Sequence, residues 1–80
     1  MDFEETFAAR VRELRLNKGI SQKQLGEAIG LSHKAISTIE SGSRSTSIAK
    51  LVALAQFFDV STDYLLGLQD TPKDAGDAQE

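Results

Sequence analysis

The sequence predicts an all-α fold of five short helices sharing one core, and three observations predict it. Apolar residues recur at intervals of three and four, as one face of a helix requires, and do not alternate as a half-buried strand would. Serines stand where helices would start (Ser21, Ser32, Ser61), and glycines stand where they would stop (Gly19, Gly30, Gly42, Gly67). Between the stops the chain offers no strand signal and no internal repeat. A chain of 80 residues is enough for one domain. Its expected bounds are 1–68, with 69–80 forming an acidic disordered tail or linker.

Each element has its own justification. Phe3, Phe7, Val11 and Leu14 share one face of a helix expected over 3–18, ended by Gly19. Ser21 and Gln24 have capping-box spacing and open a second helix, with Leu25, Ala28 and Ile29 on its buried face and Gly30 at its end. Ser32 caps a third over 33–41, with Ile36 and Ile39 inward, stopped by Gly42. After the polar loop 43–47, a fourth places Ile48, Leu51, Leu54, Ala55 and Phe58 on one face. Ser61 caps a short fifth helix holding Tyr64, Leu65 and Leu66, with Asp63 in its first turn, where a negative charge suits the dipole. Past Leu68 the periodicity ends, and four acids and the single proline follow with almost nothing apolar.

Composition excludes several classes. Without cysteine the chain can form no disulfide and present no thiolate, which suits a reducing compartment, and the cytoplasm is the expected location. No apolar run approaches the roughly 20 residues of a membrane span. The start, Met-Asp-Phe-Glu-Glu, is acidic and does not read as a secretory signal. The one histidine cannot build a zinc site alone, no nucleophile pairs with it, and no glycine-rich phosphate loop is present. The expectation is therefore no enzyme, no metal and no cofactor. The net charge of −3 is unevenly distributed: residues 10–50 carry eight basic side chains against three acidic ones. Such a middle can present a basic face to phosphate despite acidic ends.

The informative stretch is Ser21 to Gly42, in which two short helices are joined by a tight turn containing Gly30, a helix-turn-helix arrangement. The crossing needs small residues, offered by Gly26 and Ala28, and a turn residue tolerant of positive φ, offered by Gly30. Leu25, Ile29, Leu31, Ile36 and Ile39 would lock it. The opposite face of the later helix then presents His33, Lys34, Ser37 and Thr38. All can hydrogen-bond, and the major groove offers base edges that such side chains read.

With Arg12, Leu14, Arg15, Gly19, Ser21, Gln22, Leu25, Gly30, Ser32, Ile36, Ile39, Glu40, Gly42, Leu51, Ala55, Leu65 and Leu66 at these spacings, the chain resembles the Cro/repressor family of phage and bacterial regulators over about residues 7–67. The resemblance implies the lambda-repressor-like five-helix fold, with the motif at helices 2 and 3. It also implies roles. Gln22 would bond a phosphate and brace the residue that begins the next helix. His33 and Lys34 would read bases first, Ser37 and Thr38 a turn later. Arg44 would lie near phosphate, and Arg15 and Glu40 would pair in the interior. Lys23 and Ser32 complete the expected DNA-binding set. In place of the loop proline common in the family this chain has Ser45-Thr46-Ser47, which leaves the start of helix 4 less rigid.

The function expected is a sequence-specific DNA-binding regulator, a repressor, dimeric on a pseudo-palindromic operator. Phe57, Asp59, Val60, Leu66 and Leu68 are the expected dimer contacts, since exposed apolar residues call for a partner. The alternative is an antitoxin-type module binding a protein through its acidic tail as well as DNA.

Overall fold

A computed structural model describes residues 2–72, and its helices begin where the sequence offers a cap. Helix α1 (Phe3–Lys18) is capped by Asp2, whose carboxylate accepts from the Glu4 and Glu5 amides. The acidic terminus is thus a cap, a role its composition did not disclose. Glu4 and Glu5 in the first turn, and Arg15 and Lys18 in the last, complement the helix dipole. Helix α2 (Gln22–Ile29) carries the capping box: the Gln24 amide donates to Ser21 Oγ at 3.0 Å, and the Ser21 amide donates to Gln24 Oε1 at 2.8 Å. Helices α3 (His33–Ser41), α4 (Ile48–Phe58) and α5 (Thr62–Leu66) are capped by Ser32, Ser47 and Ser61. Where a loop proline was missing, Ser47 fixes the entry to α4 by accepting from the Lys50 amide.

All five helices contribute to one core. Val11, Leu25, Ile36, Leu54 and Leu65, one from each helix, are fully buried. Burying such a side chain is worth about 1.5–3 kcal/mol, so the fold depends on each helix being present. Helix α1 packs on α3 and α5, α2 on α3 and α4, and α4 on α5. Among the described residues, the all-α, five-helix architecture expected from the sequence is the one observed.

Three core assignments are corrected. Phe3 is 52% exposed and Ile48 80%, because each is the first residue of its helix and overhangs the packing. Ala28 is exposed, and Gly26 occupies the buried position instead. The reason is a close backbone approach. The Gly26 carbonyl accepts from the Leu31 amide at 2.8 Å, and a Cβ at Gly26 would lie 2.3 Å from the Leu31 oxygen. No side chain fits there. Gly30, at φ 79°, supplies the left-handed turn between α2 and α3.

Arg10 fastens the C-terminal side. Its Nη1 donates to the carbonyls of Tyr64 and Gln69, and its guanidinium lies 4.1 Å from the centre of the Tyr64 ring. The Ser61 amide donates to the Pro72 carbonyl at 2.8 Å, so the chain stays tied to α5 past Leu68. The rest of the expected tail, residues 73–80, lies outside the described residues. Among the described residues no helix is long and apolar enough to cross a membrane.

Candidate nucleic-acid interface

The site is built on the α2–α3 pair. The two serine caps end the loops that lead into α2 and α3, and the Gly26 contact lets α3 cross close to α2. Ile36 and Ile39 point into the core, so the other side of α3 faces outward. His33, Lys34 and Ser37 are exposed there. Thr38 is half-buried, and its Oγ1 lies 2.9 Å from the carbonyls of both Lys34 and Ala35. Its proton is committed to its own helix. Ser32 Oγ accepts from the Ala35 amide at 3.1 Å as the α3 cap, and its proton stays available to a ligand. Arg44 is exposed and lines an open groove with Lys34, Thr38, Ser45 and Thr46. Lys23 is exposed on α2.

A hydrogen-bonded chain runs beneath this face. Arg15 Nε and Nη2 donate to Glu40 Oε2 and Oε1 at 2.6 and 3.0 Å, and Nη1 donates to the Ile20 carbonyl at 2.9 Å. The two side chains are only 11% and 3% exposed. The hydrogen bond to Glu40 raises the Arg15 pKa above the usual arginine value, against the opposing effect of burial, and the charge of Glu40 raises it further. Gln22 Nε2 donates to Glu40 Oε1 at 3.1 Å, and Gln22 Oε1 faces His33 Nε2 at 2.9 Å. The pair thus extends through Gln22 to the first residue of α3. Sequence reasoning missed the Gln22–Glu40 link, because 18 residues separate the two and no local spacing connects them.

The basic middle of the chain is less free than its composition suggests. Arg10 and Arg15 hold backbone carbonyls and Glu40, and Lys50 Nζ donates to the Ile29 carbonyl at 2.7 Å, closing the C-terminal end of α2. Lys18 Nζ stands 5.2 Å from the centre of the Phe57 ring. Lys18 is nonetheless exposed, as are Arg12, Lys23, Lys34 and Arg44. Charge counting could not separate the two groups, whereas the helical positions of Lys23 and Lys34 could.

The residues expected at a dimer contact divide. Phe57, Val60 and Leu66 are half-buried, with Phe57 packed edge-to-face on Phe58 at 5.1 Å, whereas Asp59 and Leu68 are exposed, Leu68 by 70%. Asp59 also ends α4 in a left-handed conformation (φ 57°), which a short polar side chain tolerates. Ile48 and Val52, one turn apart on α4, are exposed apolar residues outside the expected set.

Five helices with a tight α2–α3 turn and a polar outer α3 define a helix-turn-helix domain, and the comparisons agree. A family profile described as helix-turn-helix matches residues 11–65, and the chain belongs to that family, in its Cro/repressor branch. It is 39% identical over 66 residues to the HTH-type transcriptional regulator YobD of Bacillus subtilis, an alignment spanning 82% of this chain and 59% of that one. The chain spans about half to three-fifths of the length of the curated relatives it matches. Among solved structures it is similar to the P22 c2 repressor in complex with a synthetic operator (TM-score 0.71, 34% identity, 74% of this chain and 89% of that one). It is also similar to the restriction-modification controller protein C.AhdI of Aeromonas hydrophila (TM-score 0.70, 34% identity, 76% of this chain and 92% of that one).

Proposed function

We propose that the protein is a transcriptional regulator that binds double-stranded DNA sequence-specifically, and that it acts as a repressor, dimeric on a pseudo-palindromic operator. One observation carries this reading. The first residues of α3 present His33, Lys34 and Ser37 outward on a scaffold similar to a repressor bound to operator DNA. In this reading the N-terminal half of α3 enters the major groove. His33 and Lys34 meet base edges there, and Ser37 and Thr38 meet them a turn later. Gln22, Lys23, Ser32 and Arg44 surround them and engage the backbone, fixing register. A half-site of this size buries a modest surface, so affinity comes from pairing two copies. The exposed Leu68, with Phe57, Asp59, Val60 and Leu66, is the proposed contact between copies.

The test is selection from random-sequence duplex DNA at about 0.15 M salt, where non-specific binding is partly screened. The expected product is a pseudo-palindrome whose half-sites lie about one helical turn apart. Enrichment of unrelated sequences, or of none, contradicts specific binding. Sedimentation showing a monomer both free and on each selected duplex contradicts the dimer.

A further inference from the structure

The hydrogen bonds between Arg15 and His33 have a direction. Glu40, held by the Arg15 guanidinium at 2.6 and 3.0 Å, can only accept. Its Oε1 is also 3.1 Å from the Gln22 amide nitrogen, so that side of the amide must be the donating NH2. The Gln22 oxygen is thereby turned toward His33, 2.9 Å from Nε2. An amide oxygen only accepts, so Nε2 must carry the proton. A neutral imidazole has one donor and one acceptor, which leaves Nδ1 as the acceptor. His33 is exposed at the start of α3, and among the described residues its Nδ1 makes no hydrogen bond.

We propose that this relay locks the tautomer of His33 and thereby sets what it reads: neutral His33 offers Nδ1 as an acceptor and selects adenine or cytosine on the strand it contacts. The inference rests on the DNA-reading role of α3 proposed above. In the major groove only adenine, through N6, and cytosine, through N4, offer a donor (adenine N7 beside it accepts), whereas guanine and thymine offer acceptors alone, at O6 and N7 and at O4. An acceptor-only Nδ1 bonds the first pair and meets the lone pairs of the second. A glutamine or asparagine at this position would carry both a donor and an acceptor and could not impose that polarity. The choice between amino and keto bases is therefore dictated from Arg15, through three residue-to-residue links, by residues that need touch no base. Arg15, Glu40 and Gln22 are positioning residues for this readout.

Two measurements test it. Protein labelled with isotopic nitrogen in histidine is examined by long-range proton–nitrogen correlation at pH about 8.5, above the ordinary histidine range. Wild type should show His33 protonated at Nε2 alone, and Gln22→Leu should show averaging toward both tautomers. Protonation at Nδ1 in wild type, or identical spectra for the two proteins, overturns the relay. At the same pH, random duplex DNA is selected with wild type, His33→Ala and Gln22→Leu. The alignment column that loses information in His33→Ala is the one His33 reads. There wild type should prefer A or C by about tenfold, and Gln22→Leu should relax that preference. Guanine or thymine in that column, or no column that responds to His33→Ala, overturns the base assignment. Enrichment of no DNA by any of the three overturns the underlying DNA-binding reading instead, and the ring spectrum still decides the relay.

Discussion

The α2–α3 half and the α4–α5 half of the molecule are held by different chemistry. Both halves have serine caps and share the apolar core, but the first adds a close Gly26–Leu31 backbone contact and a side-chain chain from Arg15 through Glu40 and Gln22 to His33. In the second, besides the packing of Leu54, Ala55, Phe57, Phe58 and Leu65, Arg10 and Lys50 bond backbone carbonyls, no side-chain relay leads to its surface, and Ile48, Val52 and Leu68 are left exposed. Directional bonds fix where donors and acceptors point, which reading a base edge demands. Apolar faces are non-directional, which suits association between copies. On the proposed reading, the difference divides specification and association between the two halves of one small domain.

Breaking the polar half should have the largest effect. Arg15→Met leaves Glu40 buried with only Gln22 as partner, and urea unfolding should show a loss of about 3–5 kcal/mol. Arg15→Met combined with Glu40→Leu should recover most of it, since the penalty lies in the uncompensated charge. The Arg15 contribution itself has no acid limb. Its folded pKa is raised, so the stabilisation is complete below the ordinary arginine value and is lost only as pH rises beyond it. Gly26→Ala comes next. Its Cβ would meet the Leu31 carbonyl oxygen and push α3 away from α2, at a cost of about 1–3 kcal/mol in the same assay. A stability equal to wild type would mean that the crossing relaxes freely.

The surface should respond differently. Lys34→Ala should weaken binding to the selected duplex by about 1–3 kcal/mol and relax sequence preference, as loss of a base contact does. Arg44→Ala should weaken binding to all duplexes alike and reduce the salt slope by about one. Titrations at several salt concentrations separate the two, and equal slopes in wild type and Arg44→Ala would remove Arg44 from the phosphate contacts. The smallest effect on stability belongs to the other half. Leu68→Lys, at a largely exposed position, should change unfolding by less than about 0.5 kcal/mol. It should still shift sedimentation toward monomer.

Much of the fold was legible because caps and periodicity are local. Ser21, Ser32 and Ser61, with Gly30, Gly42 and Gly67, bound their helices within one residue, and each helix supplied its buried aliphatic residue. Position along a helix is what periodicity does not encode. Periodicity puts Phe3 and Ile48 on the inward face, yet a terminal residue has nothing above it to pack against. Ala28 and Gly26 both looked small enough for the crossing, and only the approach of Leu31 decides between them. Of the interface, the exposed side of α3 was legible from the inward placement of Ile36 and Ile39. The bonds that join Glu40, Gln22 and His33 depend on tertiary geometry, and so does the structural use of Arg10 and Lys50.

In the function proposed above, α3, oriented by this network, is the surface that reads DNA. The most direct test is to titrate a selected duplex into isotope-labelled protein and follow each backbone amide by NMR. The largest changes should fall on residues 21–23, 32–38 and 43–47, with the outer face of α1 unaffected. Changes centred on α4 and α5, with α3 silent, would contradict it.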